Sequence, residues 1–177
     1  GTFMSYTLAS VYKLSNDNTG TLSGTGNEDV IASSSGSETL SGGGGNDLLF
    51  GNTGTDILIG AAGYDLLVGG LGTDTFDFDV IADSSATVSL SDVITDFVHG
   101  TDKIDLSNID ANTGSGGDQA FTFVSIANVN TVANSITWSE SGGNTILHID
   151  NNAVAGAEMQ IVLAGTGLGL TSADFIL

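Results

Sequence analysis

Apolar side chains return along the first half of this chain at a spacing that fits neither a helix nor a simple strand. Ile31, Leu40, Leu49, Leu58, Leu67 and Phe76 stand nine residues apart. A helix repeats its apolar face every ~3.6 residues and a half-buried strand every second residue. A longer fixed period marks a stacked repeat, in which each unit buries its apolar side only against its neighbours. Acidic residues keep the same grid two places earlier, at Asp29, Glu38, Asp47, Asp56, Asp65 and Asp74, each preceded by a turn-forming run.

Divided in nines from Gly24, the repeats read GTGNEDVIA, SSSGSETLS, GGGGNDLLF, GNTGTDILI, GAAGYDLLV and GGLGTDTFD. The first six residues of each suit a turn, because glycine takes positive φ without steric cost. Position four is glycine in five of the six repeats. The exception, Asn27, is of the type that best tolerates a left-handed backbone after glycine. The last three residues form a short strand with its central apolar side chain pointing inward. Two nines complete one coil, so strands on each side are parallel and about 4.8 Å apart. That geometry predicts one column of Asp29, Asp47 and Asp65 and a second of Glu38, Asp56 and Asp74. Asp83 and Asp92 continue the grid and are expected beneath Asp65 and Asp74, respectively.

The flanks read differently. Residues 1–23 form an expected N-terminal cap, with Tyr6, Leu8, Val11, Tyr12 and Leu14 covering the end of the stack. The repeats with their two closing aspartates occupy 24–92. From 93 to 177 short β-type runs recur, among them KIDLS, AFTFVSI, SITWSE, TILHID, MQIVLAG and DFIL, with turns such as SGGN between them. The predicted fold is all-β: a parallel β-roll followed by an antiparallel β-sandwich-like C-terminal cap packed end-on.

Charge narrows the partners. The chain carries 21 acidic residues against Lys13 and Lys103, a formal charge of −19. Phosphate recognition needs cationic side chains, so nucleic acid is excluded, and an anionic membrane surface with it. No apolar run approaches the ~18–20 residues of a membrane-spanning helix, and no N-terminal leader pattern is visible. A hydrophobic fraction of 40% is too high for a disordered acidic tail. There is no cysteine to staple the fold; a bound metal is the usual substitute. Stacked carboxylates repel one another unless a cation lies between them. All-oxygen donors in flexible turns suit calcium, at ~2.3–2.6 Å, better than the stricter octahedron of magnesium.

Other polar residues read as structural. Asp96, Asp102 and Asp105 are expected to satisfy backbone donors in turns and at strand ends. Lys103 is expected to pair with neighbouring carboxylates, Trp138 to pack in the core, and His148 to lie on a strand face. His99 and His148 are isolated, with no HExxH stretch for a zinc protease. No nucleophile–base spacing is present, so no catalytic residue is assigned.

The nonapeptides resemble the GGxGxDxUx repeat of RTX proteins, a known calcium-binding signature. GTDTFDF, SDVITDFVHGTDKIDLS, DQAFTF, SGGNTILHID and LTSADFIL look like the C-terminal domain of serralysin-type metalloproteases. The resemblance covers residues 24–177. It implies that each ion lies between two stacked turns, held by carbonyls at positions two and four with one Asp, and by positions one and three of the next turn with its Asp. One such site would use Gly43, Gly45 and Asp47 with Gly60, Ala62 and Asp65. A second would use Asn52, Gly54 and Asp56 with Gly69, Leu71 and Asp74. A third would use Thr25, Asn27 and Asp29 with Gly42, Gly44 and Asp47. Gly51, Thr53, Ala61, Gly63, Gly70 and Gly72 complete the candidate turn set. The repeat SSSGSETLS departs from the pattern, because the longer Glu38 must fold back, and the loop 150–158 is expected to hold no ion.

The resemblance also implies calcium-triggered folding outside the cell after export by a type I secretion apparatus, with Ala173–Leu177 in an uncleaved C-terminal signal. The alternatives are a polysaccharide-binding accessory module like those of alginate epimerases, and a surface-adhesion module. The family occurs beside many chemistries, so it identifies a folding and delivery unit rather than a reaction.

Overall fold

The inward apolar column dictates the architecture. In the computed structural model, which describes residues 12–14, 19–127, 131–152, 154 and 156–177, strands Val30–Ala32, Leu48–Phe50 and Leu66–Val68 pair in parallel, with Ile31 beside Leu49 and Leu49 beside Leu67. Facing them, Ser35–Gly44, Ile57–Ala62 and Thr75–Asp77 pair in the same way, with Leu40 beside Leu58 and Leu58 beside Phe76. All six inward side chains are 0% exposed. Four of these strands are three residues long, whereas Ser35–Gly44 and Ile57–Ala62 run on into the turns, and one inward apolar residue per repeat fills the thin space between the two stacks.

The turns use their glycines as the pattern implies, with one change. At position four, Gly45, Gly54, Gly63 and Gly72 have φ between 113° and 151°. Asn27 does not adopt positive φ. Among non-glycines the left-handed backbone falls at position two, on Asn52 (φ 64°) and Ala61 (φ 65°), alongside Gly43 and Gly70. Asn52 is secured there by its side chain, whose Nδ2 donates to the Ser33 carbonyl at 2.7 Å.

Both ends of the stack continue the pairing. Tyr12–Leu14 lies beside Val30–Ala32, and Thr19–Ser23 beside the Ser35–Gly44 strand, in parallel. These residues extend the two stacks by a further layer in the same register. Tyr6, Leu8 and Val11 fall outside the described residues.

Beyond Asp77 the nine-residue step is lost. The chain makes an excursion before Val93–Ile94 returns beside Leu66 and Leu67, and Lys103–Asp105 then settles beside Thr75–Asp77. An antiparallel meander follows, Ser135–Ser141, Asn144–Asp150 and Met159–Ala164. It joins the roll through a parallel pairing of Val162 with Val93. The last strand, Phe175–Ile176, lies parallel to Lys103–Asp105. The fold is all-β, with a roll of parallel strands and a C-terminal portion that is antiparallel at its centre. Among the described residues its two sheets, of nine and eight strands, run from roll to C-terminus without a break. One apolar cluster likewise reaches from Ile31 through Phe76 and Ile94 to Ile161, with Trp138 packed at its side.

Leu58 lies mid-stack with no exposed surface, whereas its neighbour Ile57 is 39% exposed. Leu58→Ala is expected to cost about 2–5 kcal/mol, and Ile57→Ala less than about 1 kcal/mol, by denaturant unfolding of the folded chain.

Candidate functional site

The position-six carboxylates form two ladders. In the first, the Asp29 N–H donates to Asp47 Oδ1 at 2.7 Å, the Asp47 N–H to Asp65 Oδ1 at 2.7 Å, and the Asp65 N–H to Asp92 Oδ1 at 2.9 Å. In the second, the Glu38 N–H donates to Asp56 Oδ1, the Asp56 N–H to Asp74 Oδ1, both at 2.9 Å, and the Asp74 N–H to Asp102 Oδ1 at 3.1 Å. Each carboxylate thus binds the start of the coil before it with one oxygen. The other oxygen is left over: Oδ2 of Asp47, Asp56, Asp65, Asp74 and Asp92, and both Oε of Glu38, are buried without a hydrogen-bond partner. A buried, unpartnered carboxylate oxygen is costly unless charge is brought to it.

Glycine at position one makes room beside these oxygens. A Cβ on Gly42 would lie 2.2 Å from Asp47 Oδ2 and 2.8 Å from the Gly60 carbonyl oxygen. On Gly51 it would lie 2.8 Å from Asp56 Oδ2 and 2.5 Å from the Gly69 oxygen, and on Gly60 2.5 Å from Asp65 Oδ2. An acidic oxygen of one turn and a carbonyl of the next coil therefore converge on a spot that a methyl group would fill. The donor set is all oxygen, which fits a hard dication such as calcium.

The turn carbonyls are partly engaged already. The Thr25 oxygen accepts the Gly44 N–H at 3.0 Å, Asn52 accepts Leu71 at 2.7 Å, and Gly54 accepts Thr73 at 3.3 Å. Each carbonyl retains a second lone pair. Among the described residues no three His, Cys, Asp or Glu side chains are grouped to hold a metal. An ion here would draw at most two carboxylates from one column, with backbone oxygens for the rest.

Three sequence expectations are corrected. Asp92 lies beneath Asp65, not Asp74, and Asp83 lies beneath neither. Its Oδ2 instead accepts the N–H of Asp79 at 2.8 Å and of Val80 at 2.9 Å. The excursion after Asp77 adds residues to the coil, so the partner of Asp65 comes 27 places later rather than 18. Beneath Asp74 stands Asp102, which also accepts the Val98 N–H at 2.8 Å. Asp96 takes the N–H of Gly69 and Gly70, a role within the expected satisfaction of backbone donors. Among the described residues Lys103 reaches no carboxylate and donates instead to the Ala173 carbonyl.

The signal for the closing residues was present but not periodic. Asp92-Val-Ile and Asp102-Lys-Ile repeat the acidic–any–apolar unit of the nonapeptides without their glycines. Ser84, whose Oγ accepts the Asp92 N–H at 2.8 Å, has no comparable signature.

Burial dominates the electrostatics of the ladders. It pushes Asp47 and Asp56 up to about 6, Asp65 to about 7 and Asp92 to about 8; the backbone N–H each accepts pulls down, and neighbouring carboxylates push further up. Asp74 and Asp102 are raised by burial too.

The peptidase M10 serralysin C-terminal family matches this chain over residues 2–177. Among solved structures the chain is similar to the AlgE6R3 subunit of the Azotobacter vinelandii mannuronan C5-epimerase. The identity is 28% and the TM-score 0.53, over 89% of this chain and 77% of that one. The AlgE6R2 subunit of that epimerase aligns at 28% identity and a TM-score of 0.48, over 95% of this chain and 91% of that one. No curated protein matches the chain.

Two expectations follow for the chain in chelator and for its glycines. Raised carboxylate pKa values favour the metal-free fold below the ordinary carboxylate range, and that contribution is lost as pH rises through about 6 to 8. The circular dichroism of the chelated chain should therefore gain β-structure between pH 8 and pH 5; equal signals would contradict the burial of these groups. Gly42→Ala should destabilise the folded chain by about 1–3 kcal/mol. Gly26→Ala, whose Cβ would meet nothing within 4 Å, should cost less than about 1 kcal/mol in the same unfolding assay.

Proposed function

The chain belongs to the peptidase M10 serralysin C-terminal family, and from that premise we propose that it is a calcium-dependent folding module of a secreted protein. The observation that carries this reading is the set of buried, unpartnered carboxylate oxygens on Asp47, Asp65 and Asp92 in one ladder and on Glu38, Asp56 and Asp74 in the other. Asp47, Asp65 and Asp92 would serve one column and Asp56 and Asp74 the other, with the Gly42, Gly60 and Gly69 carbonyls beside them. Bound calcium supplies the positive charge these oxygens lack. The Oδ1 atoms meanwhile tie each turn to its neighbour, so the two oxygens of one carboxylate have separate tasks.

Each site occupied at about a hundred times its dissociation constant adds about 2.7 kcal/mol to the folded state. Several such sites amount to the stability of an ordinary domain, about 5–15 kcal/mol. The metal-free ladders leave the roll weakened, which suits a chain exported unfolded through a type I apparatus into calcium-rich surroundings. The C-terminal residues support the same order of events. In the fold Asp174 has no exposed surface and lies 2.9 Å from His99 Nδ1. The ring centroids of Phe175 and Phe123 are 4.9 Å apart. Within the proposed signal Ala173–Leu177, Asp174 and Phe175 are thus accessible before folding and buried after it, while Ala173 and Ile176 stay exposed. No helix among the described residues is long and apolar enough to cross a membrane.

A polysaccharide-binding role is the second reading, favoured by the likeness to an epimerase subunit. Against an anionic polymer stand the charge of −19 and two lysines.

Circular dichroism and Trp138 emission in chelator, in millimolar magnesium and in millimolar calcium test the proposal. Calcium alone should produce the full β signal, and Asp65→Asn should raise the required calcium about tenfold or more, the loss of a charged ligand being worth at least about 1.4 kcal/mol. A chain fully β-structured in chelator at pH 8 would refute it. Calorimetric titration with mannuronan separates the second reading.

A further inference from the structure

One repeat breaks the rule that the other turns follow. At position one the roll keeps glycine, because a Cβ there meets the acidic side chain of its own turn and a carbonyl of the next coil. On Gly24 it would lie 2.7 Å from Asp29 Oδ2 and 2.1 Å from the Gly42 oxygen. The repeat SSSGSETLS has Ser33 at that place. Its side chain is buried in the ground left open elsewhere, and its Oγ donates to the Gly51 carbonyl. Other backbone oxygens of this turn are engaged as well. The Ser33 carbonyl accepts Asn52 Nδ2 at 2.7 Å, and the Gly36 carbonyl accepts the Thr55 N–H at 3.1 Å. The side-chain oxygens are the opposite case. Ser34 Oγ and both Oε atoms of Glu38 are buried without a partner, and so is Oδ2 of Asp56 one coil on. In Asp47, Asp56, Asp65 and Asp74 one oxygen is held by the coil before and one is spare; in Glu38, which is 2% exposed, both are spare.

We propose that Glu38 and Asp56 bind a calcium ion of their own, gripped by side chains in place of turn carbonyls: both Oε atoms of Glu38, Oδ2 of Asp56 and, from the same turn, Ser34 Oγ. The inference rests on the calcium reading of the ladders and adds to it a site with a different donor set, in the repeat that departs from the pattern. The two carboxylates lie together. Burial raises Asp56 most, to about 6, and the charges of Asp74 and Glu38 raise it further, Glu38 also through side-chain contact. Ionised carboxylates only accept, so the pair cannot satisfy its own three buried oxygens, whereas a cation between them does. Calcium takes a bidentate glutamate readily in its large, flexible oxygen shell. The extra methylene of Glu38 then has a reason: a longer acidic arm answers the side chain that Ser33 puts in the way. Ser33 and Glu38 are one paired departure from the repeat.

The test counts calcium bound to the full chain by equilibrium dialysis and atomic emission, at calcium just sufficient to saturate the wild type, with circular dichroism as the check on folding. Glu38→Gln should bind one ion fewer than the wild type. Glu38→Asp should need at least about tenfold more calcium to fill that site, because a shorter arm reaches the ion with fewer oxygens. Ser33→Gly/Glu38→Asp rewrites the turn as the others are written and should recover the wild-type affinity, a rescue that a merely structural role for Glu38 does not produce. Should Glu38→Gln fail to fold, Glu38→Asp and its rescue decide the matter. Equal calcium counts for the wild type and folded Glu38→Gln would mean that the pair is held by a shared proton, and would overturn the proposal. So would a Glu38→Asp chain that fills all its sites as the wild type does. Either result, from a wild type that binds several ions, leaves the calcium reading of the other turns intact; a wild type that binds none ends both.

Discussion

Everything in the roll depends on how one carboxylate divides its two oxygens. In each coil Oδ1 accepts the backbone N–H of the acidic residue one coil earlier, which fixes the register of the stack. In Asp47, Asp56, Asp65, Asp74 and Asp92, Oδ2 is then held inside the molecule with no hydrogen-bond partner. Parallel pairing at about 4.8 Å per layer stacks these oxygens in columns, and burial drives their proton affinity up. The fold therefore creates an electrostatic debt in proportion to its own length. Adding a nonapeptide adds one more inward apolar residue and one more orphaned oxygen, so a full coil adds two of each.

That coupling explains why the glycines are arranged as they are. Position-four glycines provide the positive φ that bends the turn. Position-one glycines have another task, because a Cβ on Gly42, Gly51 or Gly60 would occupy the ground between a carboxylate oxygen and its surroundings. The roll thus keeps a space open exactly where charge is missing, and the closing residues differ from the rest in this respect. Asp102 satisfies both oxygens with the backbone N–H groups of Asp74 and Val98, whereas Asp92 Oδ2 stays unpartnered. One ladder ends neutralised by hydrogen bonds, and the other ends still short of charge.

The period of nine made most of the roll legible in the sequence. It placed Ile31 through Phe76 in the core and the acidic residues in two columns, because a stack with identical coils converts sequence spacing directly into spatial contact. Where the coil length changes, that conversion fails. The excursion after Asp77 moved Asp92 under Asp65 and left Asp83 to cap its own turn, and no count of nines reveals an insertion. The positive φ at Ala61 and the ordinary one at Asn27 were hidden for a different reason. Intrinsic preference favours asparagine in that conformation, but the neighbouring coils decide which position of the turn must bend. The joining of the meander to the roll through Val93 and Val162 was equally invisible, since strand partners distant in sequence leave no local mark.

The most direct measurement of the central claim is a crystal structure of the chain grown in calcium, with anomalous scattering recorded to identify the bound ions. The account predicts calcium at about 2.3–2.6 Å from Oδ2 of Asp47, Asp56, Asp65 and Asp74. Water or sodium alone at those oxygens, in an otherwise intact roll, would contradict it.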